Sequence, residues 1–207
     1  MTQPPCQLYL ISPLEVGAPF PDRLARALDT GQVAAFQFRV KGLDDHAAAA
    51  LAEPLRRICA DRDCSFIVND SIALAKRLGA DGVHLGQSDG DPREARDLLG
   101  PGAQIGRTCH DSRHLAMEAG EAGCDYVAFG AFYPTTTKPS HYRPDSAILS
   151  WWSAIAEIPS VAIGGITPNN AAPLIAAGAD FIAICQAVWG QTDPAAAVAD
   201  FDRALAL

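Results

Sequence analysis

Long apolar runs are missing: nowhere does the chain approach the roughly 18 consecutive apolar residues that a bilayer-spanning helix needs. The N-terminus, MTQPPCQLYLIS, also lacks the basic segment and apolar stretch of a secretory signal. Both absences argue against a membrane role and predict a cytoplasmic protein. Basic charge is scarce too, with 16 Lys and Arg against 24 Asp and Glu and a net charge of −8. A surface of that sign repels nucleic acid and anionic lipid, so any anionic ligand must be met by a local site. The six cysteines, Cys6, Cys59, Cys64, Cys109, Cys124 and Cys185, form no CxxC pair and no metal-finger spacing, which predicts free and mostly buried thiols. No Ser-, Gly- or Pro-rich stretch longer than a few residues marks a domain boundary, so residues 1–207 are expected to form one domain.

What is present is a regular alternation. Short β-branched and aromatic runs, QLYLI (7–11), VAAFQF (33–38), SFIVN (65–69), GVHL (82–85), QIGRT (104–108), YVAFG (126–130), SVAIG (160–164) and FIAIC (181–185), read as strands. Ala- and Leu-rich segments of helical period lie between and after them, near 22–29, 44–61, 71–78, 91–99, 111–121, 145–156, 168–176 and 193–205. Eight such units predict a parallel α/β fold, a single-domain (β/α)8 TIM barrel. A weak repeat supports the count: LGADGV (78–83), AGCDYV (122–127) and AGADFI (177–182) each put a Gly and then an Asp before a strand. The Gly suits a left-handed helix C-cap and the Asp a turn at the bottom of the barrel, so these Asp residues are expected to serve stability.

In a barrel the chemistry gathers at the C-terminal strand ends and the loops that follow. FQFRVKG (36–42) sets Gln37, Arg39 and Lys41 at a period of two, which projects all three to one side, where an amide, a guanidinium and an ammonium suit a pyrophosphate. VND (68–70) and HLGQSD (84–89) each put an Asp just past a strand. Asp70 and Asp89 together suit Mg²⁺, which takes hard oxygen ligands and bridges phosphates, although Asp70 also stands where a helix N-cap would. His84 reads as a barrel-core histidine. The loop from Ala131 to Pro144 is polar and long, and Thr135, Thr136, Thr137 and Lys138 in it offer hydroxyls, amides and a cation to an anion. AIGGIT (162–167) and ICQAVW (184–189) lie after the strands where barrels often bind phosphate, while a structural Gly-Gly turn remains an alternative for the first.

QFRVK, VND, GVHLGQSD, YPTTTK and VAIGGIT, in that order and spacing, resemble the thiamine-phosphate synthase family over essentially the whole chain. The resemblance implies joining of a hydroxymethylpyrimidine diphosphate to a hydroxyethylthiazole phosphate, with Mg²⁺ as cofactor and pyrophosphate as leaving group. Its substrates are small phosphorylated molecules, and members of the family commonly associate into homo-oligomers. By that resemblance Gln37, Arg39 and Lys41, with Asn69 beside them and Lys138 on the pyrophosphate, form the pyrimidine diphosphate site. Arg39, Lys41 and Lys138 stabilise the leaving group. Asp70 and Asp89 are metal ligands, and Thr108 lies near the pyrimidine. Thr135 to Thr137 contact the thiazole, while Gly165, Cys185 and Gln186 hold its phosphate. The implied mechanism is dissociative.

Two residues depart from the family pattern. Ser71 stands where an Arg is usual, which removes a cation from the diphosphate end, and Gln186 replaces a small hydroxyl residue at the thiazole phosphate. Two other functions fit the same fold. Thiazole tautomerase paralogues lose the diphosphate-binding Arg and Lys and carry a His just after strand six, where this chain has Ala131. A catalytically weak thiazole-phosphate-binding relative is the other alternative.

Overall fold

The computed structural model describes residues 5–31, 33–137 and 141–205. Lys138, expected at the pyrophosphate, lies outside them. The chain runs β1 (Gln7–Ile11), α1 (Phe20–Leu28), β2 (Val33–Phe38), α2 (Asp45–Ala60), β3 (Ser65–Asn69), α3 (Ile72–Leu78), β4 (Gly82–Leu85) and α4 (Pro92–Leu99). It continues through β5 (Gln104–His110), α5 (Arg113–Glu121), β6 (Tyr126–Gly130), α6 (Ala147–Ile155), β7 (Ser160–Ile163), α7 (Ala172–Ala176), β8 (Phe181–Ile184), α8 (Gln186–Trp189) and α9 (Pro194–Leu205). The eight strands are all parallel and close as β1 to β8 in order, with β8 returning to β1. This is the expected (β/α)8 barrel. It differs from expectation in two ways: β5 runs on to His110 through an irregularity in its pairing with β6, and the short helix α8 follows β8 at once.

Strand alternation divides the apolar side chains into two layers. Tyr9, Ile11, Ala35, Ile67, Tyr126 and Ala128 belong to a cluster inside the barrel. Leu8, Leu10, Phe36, Phe66 and Phe129 face outward into the larger core under the helices. Each large side chain of that layer contributes about 1.5–3 kcal/mol on burial. Gly106 of β5 is required by this packing, because a Cβ there would fall inside the Tyr126 ring.

The Gly–Asp repeat has a definite structural task. Gly79, Gly123 and Gly178 all have positive φ, as the turn out of each helix needs. The three Asp carboxylates then reach sideways: Asp81 accepts from the Phe66 N–H at 2.7 Å, Asp125 from the Ile105 N–H at 2.7 Å and Asp180 from the Ser160 N–H at 2.8 Å. Each one therefore satisfies the first amides of the preceding strand at the barrel's N-terminal end, far from the chemistry. Asp125→Ala is expected to leave the Ile105 N–H unpaired and to lower stability by about 1–3 kcal/mol. Thermal unfolding would measure this, and substrate KM values should not move.

All six cysteines are free, and five are buried. Among the described residues no helix is long and apolar enough to cross a membrane.

Candidate active site

The C-terminal ends of all eight strands surround a cavity of ≈ 280 Å³. Of the site residues proposed from the sequence, Gln37, Arg39, Asn69, Asp70, Thr108, Thr135, Thr137, Gly165, Cys185 and Gln186 line it. Lys41, Asp89 and Thr136 do not line it directly. Lys41 is displaced because β2 ends at Phe38; its exposed ammonium pairs with the Asp70 carboxylate at the rim.

The diphosphate end is built around Arg39. Ser12, fully buried, accepts from the Arg39 N–H at 2.8 Å and donates its hydroxyl to the Arg39 carbonyl at 3.1 Å, which fixes the backbone just past β2. The guanidinium is then held with Nη1 buried and without a partner, alone in this among the buried side-chain nitrogens and oxygens of the described residues. An unpaired buried guanidinium N–H is costly, and an anion arriving in the cavity would remove that cost.

Asp70 leaves β3 with φ +67°, a left-handed conformation that few residues other than Gly adopt, and its N–H is tied to the His84 carbonyl at 2.8 Å. The alternative of a helix cap is settled by its neighbour. The Ser71 hydroxyl accepts from the Leu74 N–H at 3.1 Å and caps α3, leaving the Asp70 carboxylate for the site. Thus Ser71, which stands where the family pattern has a cation, has a local structural use. Burial opposes ionisation of Asp70, but Lys41 and the adjoining Asp89 carboxyl outweigh it and hold Asp70 below the usual carboxylate range. The stability it contributes is therefore fully present above the ordinary carboxylate pKa of about 4 and lost as pH falls through the lower folded value. Asp70→Asn should flatten the stability profile in that acid window, measured by unfolding at stepped pH.

Asp89 is positioned from β4. Its carboxylate accepts from the Gly86 N–H at 3.0 Å, and a side chain at Gly86 would collide with it. Among the described residues no cluster of three or more His, Cys, Asp or Glu could hold a metal. Asp70 on the cavity wall with Asp89 adjoining it nevertheless fits Mg²⁺, which is commonly held by one or two carboxylates plus phosphate and water.

The opposite wall is backbone. The loop after β6 stays strapped to β7: Phe132 N–H donates to Ile163 O at 3.1 Å and Tyr133 N–H to Gly164 O at 3.0 Å. Gly164 and Gly165 both have positive φ, and a Cβ on either would strike this loop, at Ala131 and at Tyr133–Pro134. The Gly-Gly turn is therefore structural in origin. Among the described residues the N–H groups of Gly165 and Ile166 have no backbone acceptor, and the opening turn of α8, whose Gln186 also lines the cavity, adds its own. Gln186 belongs to that turn. Its side-chain amide lies over Gly190, where a Cβ would sit 2.6 Å from Nε2, so Gly190 gives it room along the helix. Trp189 fastens α8 to the barrel through Nε1–H to Ile11 O at 2.7 Å. Burial pushes the Cys185 thiol up, and its Sγ–H donates to Ser12 O at 3.5 Å, which describes a neutral wall residue.

Tyr9 and Tyr126, which line the cavity, escape the sequence reading. Gln37, Tyr9, Tyr126, His84 and Thr108 form a continuous hydrogen-bonded chain across the cavity floor, with contacts of 2.8–3.1 Å. His84 is thus buried, as expected of a core histidine, but it also belongs to the site. Burial pushes both tyrosine phenols up, so they stay protonated. At the mouth His110 stacks on Tyr142 of the long loop with ring centroids 4.0 Å apart. The available signal for the floor was a pair of phenols at inward-facing strand positions, since buried hydroxyls need partners.

Comparison with known proteins gives a consistent result. The family model described as thiamine monophosphate synthase matches residues 8–188. The chain is 65% identical over 199 residues to a thiamine-phosphate synthase of Erythrobacter litoralis, covering 94% of this chain and 93% of that protein. It is 54% identical over 202 residues to one from Rhodospirillum centenum, covering 97% and 98%. Among solved structures, thiamine phosphate pyrophosphorylase from Pyrococcus furiosus superposes with a TM-score of 0.86 at 30% identity, covering 97% of this chain and 95% of that one. The chain belongs to the thiamine monophosphate synthase family.

Proposed function

We propose that the protein condenses 4-amino-2-methyl-5-hydroxymethylpyrimidine diphosphate with hydroxyethylthiazole phosphate, giving thiamine phosphate and pyrophosphate. The observation that carries this reading is the buried, unpartnered Arg39 Nη1, set in one cavity with the Asp70 carboxylate, which Asp89 adjoins from outside the cavity lining. That end suits a diphosphate. The backbone amides beyond β7 and β8 suit a second, single phosphate.

Arg39 and Lys41, with Lys138 from the loop, would hold the diphosphate and draw negative charge onto it as the bond to the pyrimidine methylene breaks. Asp70 and Asp89 would hold Mg²⁺, which supplies further neutralisation of the leaving group. Departure of pyrophosphate leaves a methylene cation stabilised by the aminopyrimidine, and the thiazole nitrogen, held by Gly165, Gln186 and the Thr135–Thr137 segment, attacks it. Tyr142, stacked on His110, lines the cavity and would help keep water from capturing the cation. No general base is needed, because the attacking nitrogen already carries a lone pair.

The tautomerase alternative needs a His after β6. Ala131 occupies that place, 6% exposed and packed against Gly164, and Arg39 with its unpaired donor is present where tautomerase paralogues lose it. Purified protein given both substrates and Mg²⁺ should form thiamine phosphate, followed chromatographically, and EDTA should stop the reaction until Mg²⁺ is restored. Conversion of the thiazole alone, or tight thiazole phosphate binding with no condensation, would refute the synthase reading.

A further inference from the structure

Asp89 sits in the turn that leaves β4, residues 86–90, with its carboxyl adjoining that of Asp70. Within the turn the Asp89 N–H donates to the Gly86 carbonyl at 3.2 Å and the Gly86 N–H to the Asp89 carboxylate at 3.0 Å. Two residues of β5 then grip the turn from the side. Arg107 donates from Nη1 to the Gly90 carbonyl at 2.7 Å and from Nη2 to the Gln87 carbonyl at 3.3 Å. In return the Gln87 side-chain amide donates to the Thr108 carbonyl at 2.6 Å. Guanidinium and amide nitrogens only donate and peptide carbonyls only accept, so the sense of each bond is fixed. Asp89 lies between the two carbonyls that Arg107 holds, and the turn is therefore fastened on both sides of it.

Among the described residues the Arg107 guanidinium bonds to these two carbonyls and to no carboxylate. Its charge is thus not spent on an ion pair; its fork is spent on the shape of one turn. We propose that Arg107, together with Gln87, is a positioning residue that acts through Asp89, holding the turn so that this carboxylate meets a divalent cation beside Asp70. The proposal rests on the metal-assisted synthase reading. Charge alone would give Arg107 the opposite effect, because a guanidinium near a cation site repels the cation. Geometry and charge therefore predict opposite signs when Arg107 is removed. Groups that orient a ligating side chain are worth about 10–100-fold in metal affinity, which exceeds the repulsion of a solvent-screened charge.

The test measures Mn²⁺ binding to the protein with pyrophosphate and without turnover, from the loss of the free-ion electron paramagnetic resonance signal. Arg107→Met should weaken Mn²⁺ binding about tenfold or more. Gln87→Ala, which trims an exposed side chain and keeps the fold, should weaken it in the same direction by about threefold, the scale of one hydrogen bond. During turnover the Mg²⁺ concentration for half-maximal rate should rise by the same factors, with KM for the thiazole phosphate unchanged. In an Asp89→Ala background Arg107→Met should have no further effect, since the residue it acts through is gone. Unchanged or tighter Mn²⁺ binding in Arg107→Met, or an equal loss in the Asp89→Ala background, overturns the proposal. If Arg107→Met does not fold, wild-type Mn²⁺ binding by Gln87→Ala overturns it. A wild type that binds no Mn²⁺ beside pyrophosphate overturns the metal-site reading itself, and the positioning role with it.

Discussion

Arg39→Met should lower the rate of thiamine phosphate formation by about a thousandfold, the scale for removing a preorganised donor aimed at developing charge. The same substitution should leave thermal stability unchanged or raised. Arg39 holds a buried Nη1 with no partner, a cost that an apolar side chain of similar length does not carry. Most damaging substitutions lower activity and stability together, so opposite signs here would identify a residue whose strain serves ligand binding. Steady-state rates and a melting curve on one preparation measure both. A parallel fall in stability would mean that the guanidinium is a structural strut.

The second large effect is expected at Asp70. Asn is close in shape and tolerates the left-handed backbone at φ +67°, so Asp70→Asn should fold. It removes the charge that pairs with Lys41 and adjoins Asp89. The rate at saturating Mg²⁺ should fall by about a hundredfold, and half-maximal activity should need a higher Mg²⁺ concentration by a comparable factor. Measuring the rate across a Mg²⁺ titration separates the two changes. An Asp70→Asn enzyme with the wild-type Mg²⁺ profile would remove this carboxylate from the metal site.

The barrel was legible because each unit is encoded locally. Strand period, Ala- and Leu-rich helical segments and the Gly–Asp turns each identify an element without reference to distant parts of the chain. The helix α8 was not, because QAVW follows FIAIC without a break and four residues carry no helical period. The candidate site was legible where polar residues crowd a strand end, as in QFRVK and VND. What sequence could not supply was which neighbour serves which need. Ser71 reads as a missing cation, yet in space it is the cap that frees Asp70. Gly164 and Gly165 read as an anion cradle, yet close approach of the loop after β6 already requires them. The floor is a longer-range case: Tyr9 and Tyr126 lie 117 residues apart, and only closure of the barrel makes their hydroxyls partners. A tyrosine within LYLI is indistinguishable from a core aromatic until that partner is known.

The account depends most on one end of the cavity being a metal-assisted diphosphate site. A crystal structure of the protein grown with pyrophosphate and Mg²⁺ tests this directly. The predicted result is pyrophosphate bonded to Arg39 Nη1, with Mg²⁺ between it and the carboxylates of Asp70 and Asp89. Pyrophosphate bound only at the amides beyond β7 and β8, or at the strand ends with no metal near Asp70, would contradict it.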